Sequence, residues 1–124
     1  MSATATATSV QELDKQLNDD VLSGKIIDAF EKYYADDVVM QENSEEPRKG
    51  KAENRKAEEA FMASVESFNG GACTASAVNG DVTFSEWEFD ITFKGGKRAK
   101  TNQVAIRRWK NGKIVSERFY YNKE

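Results

Sequence analysis

The first half of the chain carries apolar residues at the three- and four-residue spacing of amphipathic helices. Two such series predict two consecutive helices: Val10, Leu13, Leu17 and Val21, then Ile26, Ile27, Phe30, Tyr33 and Tyr34. Ser9 and Glu12 match a capping box at the start of the first helix. Gly24 stands where a left-handed residue ends a helix, so the two helices are expected to be joined by a tight turn.

A strand, a loop and a third helix are predicted next. The run Val38-Val39-Met40 is rich in β-branched residues and predicts a strand over residues 38–42. Residues 43–50 contain the only proline and are typical of a loop. The following segment has one apolar face and predicts a helix over residues 51–68, ended by the run Asn69-Gly70-Gly71; that face carries Ala57, Phe61, Val65 and Phe68.

Beyond residue 72 the helical period gives way to a two-residue period. Residues 83–93 alternate apolar and polar side chains, as in a half-buried strand. The other predicted strands cover residues 72–79, 98–109 and 114–121, with hairpin turns at residues 94–97 and 110–113. Helices followed by a strand meander predict an α+β fold, in which a curved antiparallel sheet wraps around three N-terminal helices and leaves one cavity.

The chain has 124 residues, which suits one domain, expected over residues 9–124. Residues 1–8 read MSATATAT, lack the basic and apolar regions of a secretory signal, and are expected to form a disordered tail. No apolar run approaches the ~20 residues of a membrane helix, so no membrane partner is expected. The single cysteine, Cys73, excludes an internal disulfide and favours a cytoplasmic location.

The absence of histidine restricts the chemistry that this chain can perform. It excludes His-based acid–base catalysis, Ser–His and Cys–His nucleophiles, and most zinc sites. No acidic loop with the spacing of a calcium site is present, and neither a metal nor another cofactor is expected. Catalysis would have to use carboxyl, amide or hydroxyl groups, or Arg.

The net charge of −3 is unevenly distributed along the chain. Residues 1–66 hold 8 Lys and Arg against 15 Asp and Glu, whereas residues 67–124 hold 10 against 6. The basic residues of the second half alternate with acidic ones and form no dense basic stripe. We therefore expect an acidic helical layer over a more basic sheet, and no nucleic-acid partner.

Three motifs resemble a known superfamily in order and spacing. They are YADDVV at residues 34–39, EPRKG at residues 46–50 and WKNGKIV at residues 109–115. Over residues 10–122 the chain resembles the SnoaL-like branch of the nuclear transport factor 2-like superfamily, which is related to polyketide cyclases and ketosteroid isomerases. The resemblance implies a cone-shaped, cystatin-like α+β roll. It implies no single function, because this superfamily includes enzymes, binding modules and proteins without known activity.

Position by position, the resemblance argues against steroid isomerisation. The ketosteroid isomerases use an Asp base at the end of the first strand, where this chain has Glu42. Their Tyr donor on the first helix matches Leu17 or Asn18, and their protonated Asp on the penultimate strand matches Ala105. A base without hydrogen-bond donors for the developing oxyanion lacks the electrostatic stabilisation on which enolisation depends.

Two polar positions have alternative interpretations. Glu42 ends a strand that is expected to point into the cavity, where it is either a general base with a raised pKa or a carboxylate at the rim paired with an Arg. Asn54 lies on the apolar face of the third helix. A buried amide needs hydrogen-bond partners, so Asn54 either binds a ligand or bonds to a neighbouring loop.

Arg107 and Glu117 lie on the two strands of the last hairpin, and the turn decides their relationship. A three-residue turn with Gly112 left-handed makes them diagonal neighbours on one face, whereas a two-residue turn puts Glu117 on the opposite face. The pair is then either a cross-strand ion pair or an anchor for an anionic or carbonyl ligand group. The face of Arg107 also carries Gln103, Trp109, Phe119 and Tyr121.

The remaining candidates are aromatic. Trp87 and Tyr34 are expected in the core or the cavity wall, where the Tyr hydroxyl can donate a hydrogen bond.

The sequence is compatible with three functions: a small-molecule-binding domain, a cofactor-free cyclase or isomerase that uses a carboxylate base, or a dimeric scaffold with a vestigial pocket. Val104 and Ile106 give the outer sheet face an apolar character, which predicts a homodimer through that face.

Overall fold

The computed structural model describes residues 9–122, so the predicted tail at residues 1–8 lies outside the described part. The described helices are α1 (Val10–Leu22), α2 (Ile26–Tyr33) and α3 (Lys51–Ser64). The described strands are β1 (Tyr34–Glu42), β2 (Arg48–Lys49), β3 (Val65–Asn79), β4 (Val82–Phe93), β5 (Arg98–Lys110) and β6 (Lys113–Tyr121). Helices and a curved, unclosed sheet form the α+β fold that the sequence predicts.

The strands form one sheet in the order β2-β1-β6-β5-β4-β3. Neighbouring strands run antiparallel except β1 and β6, which are parallel. The sheet is therefore mixed, and the prediction of a wholly antiparallel sheet is wrong at this pair. A hairpin forces antiparallel pairing, but β1 and β6 are joined through the rest of the chain, so no turn fixes their relative direction.

The N-terminal helices begin and end as their sequence signals indicate. The Ser9 hydroxyl accepts a hydrogen bond from the Glu12 backbone N–H at 3.1 Å. Gly24 has a φ of +81°, the left-handed conformation that turns the chain into α2. The following strand begins at Tyr34, four residues earlier than predicted, because the backbone N–H of Tyr34 makes the last bond of α2 while its own φ and ψ are already extended.

The third helix is shorter than predicted. It ends at Ser64, and Val65 and Phe68 belong to β3. Val65 pairs with Phe93 and Phe68 with Ile91, so long-range pairing with β4 replaces the last helical turn. The helical spacing of these apolar residues is therefore coincidental, and the run of Asn69, Gly70 and Gly71 lies inside a strand with irregular pairing instead of ending a helix.

The last hairpin combines a two-residue turn with a β-bulge. Asn111 and Gly112 have φ values of 52° and 78°, as in a type I′ turn. Next to the turn Trp109 pairs with Ile114, but further along Arg107 pairs with Glu117, because the register shifts by one residue between them. A two-residue turn alone would direct Glu117 to the outer face, but the bulge shifts the register by one residue and returns Glu117 to the face of Arg107. Neither predicted register therefore describes the whole hairpin.

The helices cover the concave face of the sheet. The buried core between them includes Leu17, Phe30, Val38, Met40, Trp109 and Ile114. Within the described residues no helix is both long enough and apolar enough to cross a membrane.

Candidate functional site

A cavity of about 380 Å³ lies between the helices and the concave face of the sheet. Its walls are mainly apolar, and they are formed by inward-pointing alternate residues of the strands together with side chains of the three helices. The aromatic lining includes Phe30, Phe61, Trp87, Phe89, Phe93 and Phe119. A concave, mainly apolar space with few polar groups is the typical form of a small-molecule site.

Arg107 lines this cavity and makes three buried hydrogen bonds. Its Nε donates to Glu117 Oε2 at 2.7 Å, and its Nη1 donates to Asp14 Oδ1 at 2.8 Å and to Asn18 Oδ1 at 2.6 Å. Burial lowers the pKa of Arg107, but Glu117, Tyr34 and Asp14 raise it more, so the net shift is upward. The guanidinium stays charged and is already neutralised by two carboxylates.

Glu117 is fixed from two sides. Besides Arg107, the Tyr34 hydroxyl donates a hydrogen bond to Glu117 Oε1 at 2.5 Å. Burial, and then the negative charge of Glu117, raise the pKa of Tyr34 well above its usual value, so the phenol keeps its proton. Glu117 is 1% exposed, and both of its oxygens accept hydrogen bonds within the protein.

Glu42 lines the cavity, and its partly exposed side chain contacts two neighbours. Its Oε1 accepts a hydrogen bond from the Tyr121 hydroxyl at 3.1 Å, and its Oε2 lies 2.7 Å from Arg48 Nη2. Burial and the negative charge of Glu42 raise the pKa of Tyr121 to about 12. Oε2 is shielded from solvent and, among the described residues, receives no well-aligned hydrogen bond.

Glu58 of α3 is a carboxyl that the sequence interpretation missed. It lines the cavity, and within the described part of the chain it forms no hydrogen bond and no ion pair. Burial and the negative charge of Glu117 raise its pKa from 4.5 to about 7, against the opposing effect of Arg48. A signal was present, because Glu58 follows Asn54 by four residues and precedes Phe61 by three, which places it on the same helix face.

Asn54 lies behind the cavity wall and does not line it. Its side chain is fully buried, and its amide donates to the carbonyl groups of Arg48 at 3.0 Å and Gly50 at 2.8 Å. Its carbonyl oxygen accepts a bond from Arg48 Nε at 3.1 Å. Of the two predicted alternatives, the geometry agrees with the loop contact, because no polar atom of Asn54 is left for a ligand.

The structure brings the other predicted site residues together. Those that line the cavity are Glu42, Arg107, Glu117, Gln103, Trp87, Tyr34 and Tyr121. Asp14 and Asn18, which hold Arg107, were not predicted as site residues, although their spacing of four puts both on one helix face. Among the described residues, no group of three or more His, Cys, Asp or Glu side chains is arranged to hold a metal ion.

Comparison with known proteins gives matches to a family and to solved structures. The family model of the SnoaL-like domain matches residues 8–121. A candidate SnoaL-like polyketide cyclase from Mesorhizobium loti is 33% identical, with a TM-score of 0.82 over 92% of this chain and 100% of that chain. No curated protein matches.

Two more distant structures share the fold. A candidate polyketide cyclase from Pseudomonas putida is 19% identical, with a TM-score of 0.79 over 94% of this chain and 93% of that chain. A protein with a ketosteroid isomerase-like fold from Catenulispora acidiphila, in complex with trimethylamine, is 16% identical, with a TM-score of 0.74 over 94% and 88% of the two chains.

Proposed function

Because the chain belongs to the SnoaL-like domain family, we propose that it binds a small apolar or amphipathic molecule in the cavity between its helices and its sheet. The observation that carries this proposal is the cavity itself, with a volume of about 380 Å³ and aromatic walls around a few buried polar groups. Such a space is large enough for a compact organic molecule and offers both apolar contact and fixed polar groups.

A cavity-filling variant on α3 tests the proposal. Ala57 lines the cavity, whereas Ala60 is exposed on the same helix. The probe is the neutral apolar dye N-phenyl-1-naphthylamine, whose fluorescence rises in apolar sites. We expect Ala57→Phe to weaken dye binding at least about tenfold, equal to about 1.4 kcal/mol, and Ala60→Phe to leave it unchanged. Equal binding by both variants contradicts the proposal.

A cofactor-free enzyme of the cyclase or isomerase type is the second candidate function. Two observations favour it: the candidate polyketide cyclase from Mesorhizobium loti is 33% identical, and Glu58 has a pKa of about 7. A carboxyl that titrates near neutral pH is suited to proton transfer at carbon. Glu42 and Glu117 are engaged by neighbouring side chains, so Glu58 is the base proposed here, with Glu42 as the alternative.

Deuterium incorporation at the α carbon of 2-tetralone in D₂O, followed by NMR, tests this second candidate. An enzyme with Glu58 as its base exchanges the α protons faster than buffer does, and Glu58→Gln abolishes the acceleration while Glu42→Gln retains it. The reverse pattern assigns the base to Glu42. An exchange rate equal to that in buffer argues for the binding protein.

We also propose a homodimer through the outer sheet face, which would equally suit a dimeric scaffold with a vestigial pocket. Phe84, Val104, Ile106 and Tyr120 lie on the face opposite the cavity and remain partly exposed, Tyr120 at 40%. Light scattering should give twice the chain mass for the wild-type chain and a monomer for Ile106→Lys. A monomeric wild-type chain contradicts the proposed homodimer.

The single cysteine supports a cytoplasmic location.

A further inference from the structure

The charged groups around the cavity do not balance. Three carboxyl groups and two guanidinium groups line the cavity, and a fourth carboxyl, Asp14, contacts Arg107 from outside the lining; the lining groups are Glu42, Glu58, Glu117, Arg48 and Arg107. Two carboxyl groups are in excess: one belongs to the cluster in which Arg107 meets both Asp14 and Glu117, and the other is Glu58, which has no hydrogen bond and no ion pair within the described residues. Glu58 is half-buried, so its ionised form loses part of its hydration and is disfavoured unless a cation lies nearby.

Neither guanidinium is available to an anionic ligand. Arg107 is bonded to both Asp14 and Glu117, and its side chain is 4% exposed. Arg48 lies 2.7 Å from Glu42 and donates its Nε to Asn54. An anion that entered the cavity would meet two neutralised arginines and a surplus carboxyl, which is an unfavourable electrostatic environment.

Glu42 is a second carboxylate of the cavity, held by an ion pair with Arg48 whose hydrogen-bond geometry is poor. Its Oε2 atom is buried and receives no well-aligned hydrogen bond from the described residues, although Arg48 lies nearby. Buried carboxylate oxygens normally accept at least one hydrogen bond. A positively charged group of a ligand in the same cavity would add to the charge that Arg48 supplies to this oxygen.

The aromatic walls favour the same kind of ligand. Trp87 and Phe89 stack with ring centroids 5.4 Å apart, and Phe61 and Phe93 meet edge to face at 6.1 Å. All four line the cavity that contains Glu58. Aromatic faces attract cations through their quadrupoles while offering apolar contact to the rest of the ligand, a combination that anionic groups do not benefit from.

We propose that the ligand carries a positive charge, as a substituted ammonium group on an apolar body, and that the Glu58 carboxylate pairs with that group. This inference rests on the proposed binding function and specifies the chemical class of the ligand. Glu58 supplies the charge and the aromatic side chains of the wall supply the apolar contact, while Arg107 is occupied by its carboxylate partners.

Proton release should accompany binding of such a ligand. The groups that act electrostatically on Glu58 are Glu42 on β1, Arg48 on β2 and Glu117 on β6, and Glu58 in turn acts on the Tyr34 hydroxyl. With a pKa of about 7, Glu58 is partly protonated in neutral solution. A cation favours its ionised form, so affinity for a cation should rise with pH between about 6 and 8.

Three probes of nearly equal shape test the charge preference. They are benzyltrimethylammonium, its neutral isostere neopentylbenzene, and the anion 2,2-dimethyl-3-phenylpropanoate. Dissociation constants are measured by NMR titration at pH 5 and pH 8. We expect the cation to bind at least about tenfold more tightly than the neutral probe at pH 8, equal to about 1.4 kcal/mol, and this ratio to fall at pH 5.

Two variants on α3 test whether Glu58 causes the preference for the cationic probe. Glu58→Gln should reduce the ratio of cation to neutral affinity to about one. Glu59→Gln should retain the wild-type ratio, since Glu59 is exposed and paired with Arg55. A cation preference that persists in Glu58→Gln overturns the role of Glu58.

Failure of the inference and failure of the proposed binding function give different results. Equal binding of the three probes, or tighter binding of the neutral or anionic one, overturns the charge preference; if Ala57→Phe blocks that binding, the proposed binding function stands. No binding of any probe, together with no dye binding, overturns both.

Discussion

Arg107 faces Glu117 directly across two antiparallel strands, and its Nε lies 2.7 Å from Glu117 Oε2. The facing positions depend on the bulge near Val115, which returns Glu117 to the concave side after a two-residue turn. Asp14 completes the arrangement from α1, so one guanidinium links the first helix to the last two strands. This ion pair is therefore both a cross-strand contact and a connection between the layers of the fold.

Removing the Arg107 charge should destabilise the fold strongly. Arg107→Met leaves Asp14 and Glu117 buried without a counter-charge, and we expect the free energy of unfolding to fall by about 3–5 kcal/mol. Urea unfolding measures the change. The matched control is Arg98→Met on the same strand, where Arg98 pairs with Asp90 at the surface and the loss should be much smaller. Equal losses contradict the structural role of Arg107.

Glu58 should make stability depend on pH. Its pKa is raised from 4.5 to about 7 on folding, so between these values the folded state holds a proton that the unfolded state has released. Stability relative to Glu58→Gln should therefore fall as pH rises from about 4.5 to 7, by up to about 3 kcal/mol, and level off above. Urea unfolding of both proteins at pH 5 and pH 8 measures the difference. A pH-independent difference contradicts the raised pKa.

The Tyr34 hydroxyl should contribute to stability through Glu117. Tyr34→Phe removes the donor to a fully buried carboxylate oxygen, and we expect a loss of about 1–3 kcal/mol. Tyr33→Phe is a control one residue away, because the Tyr33 hydroxyl makes only a long contact of 3.4 Å with Gln16. Thermal unfolding should rank wild type and Tyr33→Phe close together, with Tyr34→Phe clearly below them. The opposite ranking contradicts the hydrogen-bond assignment.

Asn54 should act on stability and leave ligand affinity unchanged. Asn54→Ala removes the side-chain amide that donates to the carbonyl groups of Arg48 and Gly50 and that accepts from Arg48 Nε, and we expect a loss of about 1–3 kcal/mol. Binding of N-phenyl-1-naphthylamine by the folded variant should match wild type, because Asn54 does not line the cavity. Weaker dye binding with unchanged stability would restore Asn54 as a ligand contact.

The sequence by itself determined the identity and order of most elements. Three signals are local: the period of apolar residues, the capping box at Ser9 and the turn at Asn111-Gly112. The backbone adopts the conformation that each of them predicts. Local motifs also identified the superfamily, and alternation along the strands placed Trp87 and Gln103 on the cavity side. Each of these inferences needs only residues that are close in the chain.

The tertiary structure decided what depends on distant residues. It set the parallel pairing of β1 with β6, ended α3 at Ser64 through pairing with β4, and returned Glu117 to Arg107 through a bulge. It also partly desolvated Glu58 and brought it under the influence of the negative charges of Glu117 and Glu42, which raised its pKa. Charge coupling and strand register arise from contacts across the fold, so no local pattern in the sequence contains them.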